Sequence, residues 1–296
     1  MGSIRTTAVL PASTVCSAPP DPDQFQNLGA ATGSDASGDA EAARVLERWR
    51  DFPATRRPRP IVLIGELLQE AGYVTGDAKL AVATGRVELA APVPRIPSRM
   101  AVRLPGGTFE LPTTSAKAAF ATVLAAGDPA NAPDVSPAPL RITRVALGTA
   151  RYPTDRGVRT LPAWLFHARE SLAPLAVPAL HPSAFWHPGE FYPGPMGEGD
   201  LTTDGRLLTI TMPVPDPPAS PEETYVRYVP VVVESGTAVL IRLHAELGSA
   251  PPVVADPGCG DEMVMRYADY TVRLAAPLGN RVAIDLDGQP LPVTPA

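Results

Sequence analysis

The sequence has very little lysine and cysteine, and it has no long apolar run. Only Lys79 and Lys117 are lysines, so arginine carries nearly all of the positive charge. With 25 basic and 31 acidic residues the formal net charge is −6, and no block of like charge suits a nucleic-acid backbone. No stretch approaches the roughly 18–20 apolar residues of a membrane-spanning helix. We therefore expect neither a nucleic-acid partner nor a transmembrane segment.

The two cysteines, Cys16 and Cys259, lie far apart and belong to no CxxC or Cys/His metal-binding pattern. Their positions leave open whether they are free thiols, whether they pair, and whether Cys16 is lipidated. The first 16 residues hold a short apolar stretch interrupted by Pro11, and bulky Val15 precedes the cysteine. As written, this segment is not expected to act as an export signal, and the start of the mature chain stays open.

Proline, in contrast, is abundant: it accounts for 37 of the 296 residues, against a usual ~5%. This composition disfavours long helices and favours short strands between irregular connections. Residues 1 to about 38 have little to bury and predict a disordered tail. Residues 128–139 hold four prolines in twelve residues without periodicity, which predicts a domain boundary.

Two segments have helical periodicity. The first covers residues 39–50 and directs Trp49 toward a partner surface, where its expected role is to anchor the helix. The second covers residues 113–127, with Ser and Thr residues at its start and Gly127 placed as a C-cap glycine. Between the two, an apolar run at 61–64 predicts a buried strand, and residues 66–72 fit either a short helix or a turn.

The segment 140–168 predicts a long antiparallel hairpin around the turn Thr154–Gly157, in which Gly157 takes a positive φ. The two-residue period slips between Ile142 and Val145, which indicates a β-bulge. Pro162 cannot donate to a ladder, so the returning strand is expected to be an edge there or to break. A second hairpin is predicted over residues 100–111, around a Gly-Gly turn.

Strands dominate the rest of the chain, with turn signals between segments 172–180, 206–212, 225–234, 237–246, 270–275, 281–286 and 291–293. We therefore predict an α+β fold, with a small mixed N-terminal domain followed by a mainly antiparallel β sandwich or partly open barrel. The predicted division is a disordered tail with one short helix and linker (1–57), a small α+β domain (58–130) and a β-rich domain (138–296).

Candidate metal ligands lie in the aromatic-rich loop 181–200, which holds His181, His187 and Glu190. Their spacing is not that of H-E-x-x-H, and the prolines exclude a shared helical face. A metal site would therefore need the loop to bring the three ligands together, and we assign none. The favoured interpretation is a loop whose aromatic side chains cover the core, and a ligand-binding loop is the alternative.

No catalytic residue is assigned, because the sequence has no G-x-S-x-G motif and no glycine-rich nucleotide-binding motif, and no cofactor is expected. The candidate binding residues surround the junction of the hairpin and the aromatic loop, and they are Trp164, His167, Trp186, His187 and Tyr192.

Two polar groups are interpreted as structural. The run Arg56-Arg57-Pro58-Arg59 is taken as a solvated junction between linker and strand, with a binding patch as the alternative. Asp155 and Arg156 are interpreted as turn residues and not as participants in a site.

Three segments carry a family resemblance: TDRGVRTLPAWLF, VVVESGTAVLIRL and VRLAAPLGNRVAIDLDGQPLPV. They resemble the C-terminal half of uncharacterised actinobacterial proteins with a β-rich fold, many of them exported proteins or lipoproteins. The similarity covers roughly residues 140–293 and implies an extracellular or cell-envelope location, but no activity. Such proteins often carry a cysteine pair in this half, whereas this chain has only Cys259 there.

Together these features predict a non-enzymatic cell-envelope or secreted binding or structural module, whose partner is an unknown small molecule, glycan or protein. One alternative is a metal-assisted hydrolase with a loop-built His/Glu site. Another is a structural protein that assembles through edge strands, with the valine-rich segment 229–233 as the contact. The sequence leaves the ligand, any catalysis and the oligomeric state open.

Overall fold

The computed structural model describes residues 36–131, 138–186, 198–214, 225–248 and 266–295. Its helices are α1 (Ala36–Arg48), α2 (Gly76–Ala83) and α3 (Ala116–Ala125). Its strands are β1 (Ile61–Val62), β2 (Val87–Leu89), β3 (Arg99–Leu104), β4 (Gly107–Pro112), β5 (Leu140–Thr154), β6 (Gly157–Ala168), β7 (Leu175–Pro178), β8 (Phe185–Trp186), β9 (Glu198–Leu201), β10 (Leu207–Val214), β11 (Tyr225–Glu234), β12 (Ala238–Gly248), β13 (Arg266–Arg273), β14 (Val282–Ile284) and β15 (Val293–Pro295). Strands far outnumber helices here, which confirms the predicted α+β class.

The hairpin of β5 and β6 forms the centre of a four-stranded sheet with the order β2-β5-β6-β7. Its register shifts between Ile142 and Arg144, so the predicted bulge is confirmed. Gly157 has a φ of 72° in the connecting turn, also as predicted. Strand β6 runs unbroken through Pro162, beside the point where its ladder with β7 ends at Ala163. The proline therefore lies where β6 becomes an edge.

This central sheet contributes side chains to a core on each of its faces. Trp164 and Phe166 point to one face, where they share a core with the buried residues of α2 and α3. Leu161 and Ala163 point to the other face and pack with the β3–β4 hairpin. The two-residue side-chain period of a strand explains this division, because neighbouring side chains of β6 enter different cores.

The second helix predicted from the sequence is α3, which Ser115 caps by accepting a hydrogen bond from the N–H of Ala118 (3.2 Å). Gly127 lies just beyond its C-cap, Ala126, and has a different role from the one predicted. A Cβ at Gly127 would lie only 2.0 Å from the backbone nitrogen of Gly85. The residue must therefore be glycine because the end of α3 packs directly on the backbone that follows α2.

The C-terminal part is a sandwich of two sheets, with the orders β13-β10-β9-β15 and β11-β12-β14. Between them lies a core to which Leu208 and Ile210 contribute from one sheet and Val239 and Ile241 from the other. Most pairs are antiparallel, whereas β15 pairs with β9 and β14 pairs with β12 in parallel. No sheet in the described parts of the chain closes into a barrel, so the sandwich form of the prediction applies.

Helix α1 packs on the outer face of the three-stranded sheet. Ala42, Val45 and Trp49 join Leu240 and Ile284 in a separate core. The Nε1–H of Trp49 donates to the carbonyl of Gly288 (3.1 Å). The predicted anchoring role of Trp49 is confirmed, and the helix begins at Ala36, slightly earlier than predicted.

Several local predictions changed in detail. The apolar run 61–64 supplies only the two residues of β1, which pairs in parallel with β8. Residues 66–72 form bends and one bridge, at Gln69, and contain no helix. The domain division stays a prediction, and the core beneath α2 and α3 includes residues from both sides of the 130–138 boundary.

Within the described ranges, no helix is long and apolar enough to cross a membrane.

We predict that Gly127→Ala lowers the free energy of unfolding by about 2–3 kcal/mol, because the added Cβ overlaps the backbone of Gly85. Gly76→Ala is the matched control, since a Cβ at Gly76 meets nothing within 4 Å at the start of α2. That change should leave stability unchanged or raise it by up to about 1 kcal/mol. Urea denaturation of both variants tests the comparison, and equal stabilities would contradict the close approach.

Candidate functional site

The tip of the central hairpin is buried against other parts of the chain. Thr154 closes the turn by donating its hydroxyl to the carbonyl of Gly157 (2.6 Å). The N–H of Asp155 donates to the carbonyl of Val62, and its carbonyl accepts from the N–H of Val293. The tip therefore joins β1 to the strand that ends the sandwich, and the side chain of Asp155 is enclosed.

Arg59 and Asp155 form a buried ion pair at this tip. The Nη1 of Arg59 lies 3.2 Å from Oδ1, and its Nη2 donates to Oδ2. The side chains are only 13% and 1% exposed, respectively. Arg59 also donates through Nε to the carbonyl of Asn280 (2.8 Å) and lies over the ring of Phe52 at 4.8 Å. These contacts hold the proline-rich segment 56–60 against the hairpin tip.

Arg156 faces the sandwich from the same turn. Its Nη2 donates to the carbonyls of Gly279 (2.7 Å) and Arg281 (2.6 Å). Burial lowers the pKa of Arg156 to about 10, against the opposing influence of Asp155. The side chain therefore stays charged at neutral pH, and Asp155 lies between two guanidinium groups. The interpretation of Asp155 and Arg156 as turn residues was correct but incomplete, because both belong to a buried ionic network.

A pocket of about 210 Å³ opens beside this network. Three parts of the chain line it: the segment 56–60, the β3–β4 hairpin and the 3-10 helix Pro182–Ala184. Four arginines are among the lining residues, which are Arg56, Arg57, Pro58, Arg59, Pro60, Arg99, Leu104, Glu110, Leu111, Pro112, Ser183 and Ala184. We call this feature the arginine pocket.

The arginines of the segment 56–60 reach the pocket in two different ways. Arg59 is held inward by Asp155, whereas Arg56 and Arg57 are exposed. Arg99 comes from the first residue of β3 and donates to the carbonyl of Glu110 across the hairpin. Buried Leu104 and Leu111 supply apolar surface below the charged groups. The arrangement can hold an oxyanion, since guanidinium groups bind carboxylates and phosphates through paired hydrogen bonds.

Ser183 lines the pocket, and its side chain contacts His181. The Nδ1 of His181 accepts from the N–H of Ser183 at 3.2 Å, and the hydroxyl of Ser183 is 3.0 Å from the same nitrogen. This geometry caps the short 3-10 helix, whose Ser183 and Ala184 line the pocket. The candidate metal ligands His187 and Glu190 lie outside the described residues, and no described group of three His, Cys, Asp or Glu could hold a metal ion.

The candidate binding residues occupy different environments. Trp164 is fully buried, and its Nε1–H donates to the carbonyl of Thr114 (3.0 Å). His167 lies against Arg144, whose Nη2 is 3.0 and 2.9 Å from the two ring nitrogens. Burial, and after it the charge of Arg144, lowers the pKa of His167, so its ring is neutral at pH 7. The binding roles of Trp164 and His167 stay predictions.

Trp186 packs edge-on against Phe52 with a centroid distance of 5.7 Å, next to the core beneath α1. Within the described parts of the chain, its buried Nε1 has no hydrogen-bond partner. Tyr192 and His187 lie outside the described residues, so their binding roles stay predictions.

The described candidates are not brought together, whereas the arginine run interpreted as a solvated junction lines the pocket. In the sequence, the alternation of arginine and proline at 56–60 was the pattern that could have indicated this pocket. That pattern does not indicate that Arg99 also lines it.

Comparisons with protein-family models, with curated proteins and with solved structures gave no match to this chain.

We predict that Asp155→Asn lowers the free energy of unfolding by about 3–5 kcal/mol, because Arg59 and Arg156 lose their buried counter-charge. The exposed pair of Glu47 and Arg50 serves as the control, with side chains 60% and 67% exposed. Glu47→Gln should cost no more than about 1 kcal/mol. Chemical denaturation measures both changes, and a small effect at Asp155 would show that the network does not hold the tip.

A second buried carboxyl lies away from the pocket, in the turn that receives α1. Asp285 is 2% exposed, and its Oδ1 accepts from the N–H of Gln289 (2.8 Å), whereas Oδ2 has no hydrogen-bond partner among the described residues. Burial raises the pKa of Asp285 to about 6, with a smaller contribution in the same direction from Asp287. Because the folded-state pKa lies above that of the unfolded chain, ionisation of Asp285 opposes folding.

We predict that the stability associated with Asp285 is fully present below about pH 4 and is lost as the pH rises through about 6. Asp285→Asn keeps the acceptor for Gln289 and removes the ionisation, so its advantage over wild type should grow to about 2–3 kcal/mol at pH 8. Urea denaturation from pH 4 to 8 measures this. Asp51→Asn, at a carboxyl 80% exposed, is the control, and parallel curves for wild type and Asp285→Asn would contradict the prediction.

Proposed function

We propose that this protein is a non-enzymatic binding module of the cell envelope or the extracellular space, and that it holds an anionic ligand in the arginine pocket. The observation that carries the proposal is the convergence of four arginines from the segment 56–60 and β3 on one cavity. Arg59 anchors the segment through Asp155, and this contact places Arg56 and Arg57 at the rim.

The chemistry of the lining favours binding over acid–base catalysis. A guanidinium group donates hydrogen bonds and carries a fixed positive charge, but it does not exchange its proton near neutral pH. The pocket therefore offers what an oxyanion ligand needs. His181, which could take up a proton, is engaged at Nδ1 by the N–H of Ser183.

The volume of the pocket limits how much of a ligand it takes. Cavities that enclose a whole drug-sized ligand have volumes of about 300–1,000 Å³, whereas this pocket measures about 210 Å³. It suits one charged group of a larger molecule, and the remainder of that molecule would lie over the surrounding surface. A small molecule, a glycan or a protein side chain can each present such a group.

Each of two alternative functions is supported by one structural observation. The metal-assisted hydrolase is favoured by the exposed position of His181 beside the pocket, with His187 and Glu190 as its predicted partners. Assembly through edge strands is favoured by the place of β11 at the edge of its three-stranded sheet. Pro230 removes one backbone donor from that edge, which weakens the pairing that assembly would require.

We predict that replacing Arg57 and Arg99 together by glutamine weakens the binding of citrate and inorganic phosphate at least about tenfold, because two charge-assisted contacts are lost. Arg103→Gln is the matched control, since Arg103 is exposed on β3 and does not line the pocket. Isothermal titration calorimetry at low ionic strength measures binding, and circular dichroism checks the fold. Equal affinities for the double variant and the wild type would contradict the proposed function.

A further inference from the structure

The charge of the arginine pocket is not balanced by the protein. Arg59 is neutralised by Asp155 through the buried ion pair. Among the described residues, no ion pair involves Arg56, Arg57 or Arg99, and the side chain of Arg99 donates to a backbone carbonyl. Glu110 offsets one of these three positive charges. The pocket therefore keeps a formal excess of two positive charges.

We propose that the arginine pocket is matched to a phosphate monoester, a tetrahedral oxyanion that carries up to two negative charges; this inference rests on the proposed function. A phosphate monoester has a charge of about −1.5 to −2 at pH 7. A single carboxylate group, a sulfate ester and a phosphodiester each carry one negative charge. Of these common oxyanions, the monoester balances the excess most closely.

The pocket is also built to hold such a group with little rearrangement. Arg59 fixes the segment 56–60 through its contacts with Asp155 and the carbonyl of Asn280. Pro58 and Pro60 restrict the backbone on either side of Arg59. A preorganised segment loses little conformational freedom when a ligand binds, so its contacts contribute more fully to affinity.

The apolar side of the pocket strengthens the same preference. Leu104, Leu111 and Ala184 are buried and line the cavity beneath the charged groups. Charges interact more strongly beside apolar protein than in bulk water, because the effective dielectric constant is lower. The second negative charge of a monoester therefore gains more here than it would on an open surface.

The experiment compares phenyl phosphate with phenyl sulfate on the full chain. The two probes share the phenyl ring and the tetrahedral head group, and they differ in charge above pH 6, since the second ionisation of a phosphate monoester lies near pH 6. Calorimetric affinities are measured at pH 8 and pH 5 in low salt. Glu110, which lines the pocket, and the nearby His181 act on both probes, so the ratio of affinities isolates the charge of the ligand.

We predict that phenyl phosphate binds at least about tenfold more tightly than phenyl sulfate at pH 8, and that this ratio falls to about one to two at pH 5. Arg57→Gln should reduce the ratio at pH 8, whereas Arg103→Gln, outside the pocket, should leave it unchanged. Thermal unfolding confirms that both variants are folded.

Each other outcome overturns the inference in a distinguishable way. Equal binding of the two probes at pH 8, lost in the double variant of Arg57 and Arg99, would refute the match to two charges while the proposed function stands. A preference for phenyl phosphate that Arg57→Gln does not alter would place the monoester elsewhere. No binding of either probe, or of citrate, would overturn both the inference and the proposed function.

Discussion

The ion pair between Arg59 and Asp155 is the contact on which the arrangement of this protein depends. The carboxylate of Asp155 is 1% exposed, and burying such a charge costs free energy. Arg59 and Arg156 offset this cost by approaching the carboxylate from two directions. Their remaining donors are satisfied by backbone carbonyls. These carbonyls belong to the turn at 279–281. One carboxylate thus holds together the proline-rich linker, the tip of the central hairpin and the C-terminal sandwich.

This contact also explains how a single short segment serves both stability and binding. Arg59 points inward and is neutralised, while its neighbours Arg56 and Arg57 remain at the surface with their charges available. The prolines of the segment limit the freedom of its backbone. The pocket exists because β3 then presents Arg99 opposite the segment. A ligand would therefore meet a charged rim whose geometry is already held by the core.

Local patterns predicted the elements that depend on near neighbours in the sequence. The apolar stripe and Ser115 cap predicted α3, the slip in the two-residue period predicted the bulge at Ile142, and the turn chemistry predicted the positive φ of Gly157. Predictions that depended on distant partners were less complete. The role of Gly127 required knowledge of Gly85, 42 residues earlier, against which its backbone packs.

By itself, the sequence determined the α+β class, the hairpins and the anchoring role of Trp49, because periodicity, turn residues and helix caps act over a few residues. Only the tertiary structure decided which charged residues are buried and which line a pocket. Arg59 and Asp155 are 96 residues apart, and nothing in either neighbourhood signals the other. Burial and electrostatic pairing are properties of the packed chain, so the arginine run acquires its meaning only when the hairpin tip and β3 meet it in space.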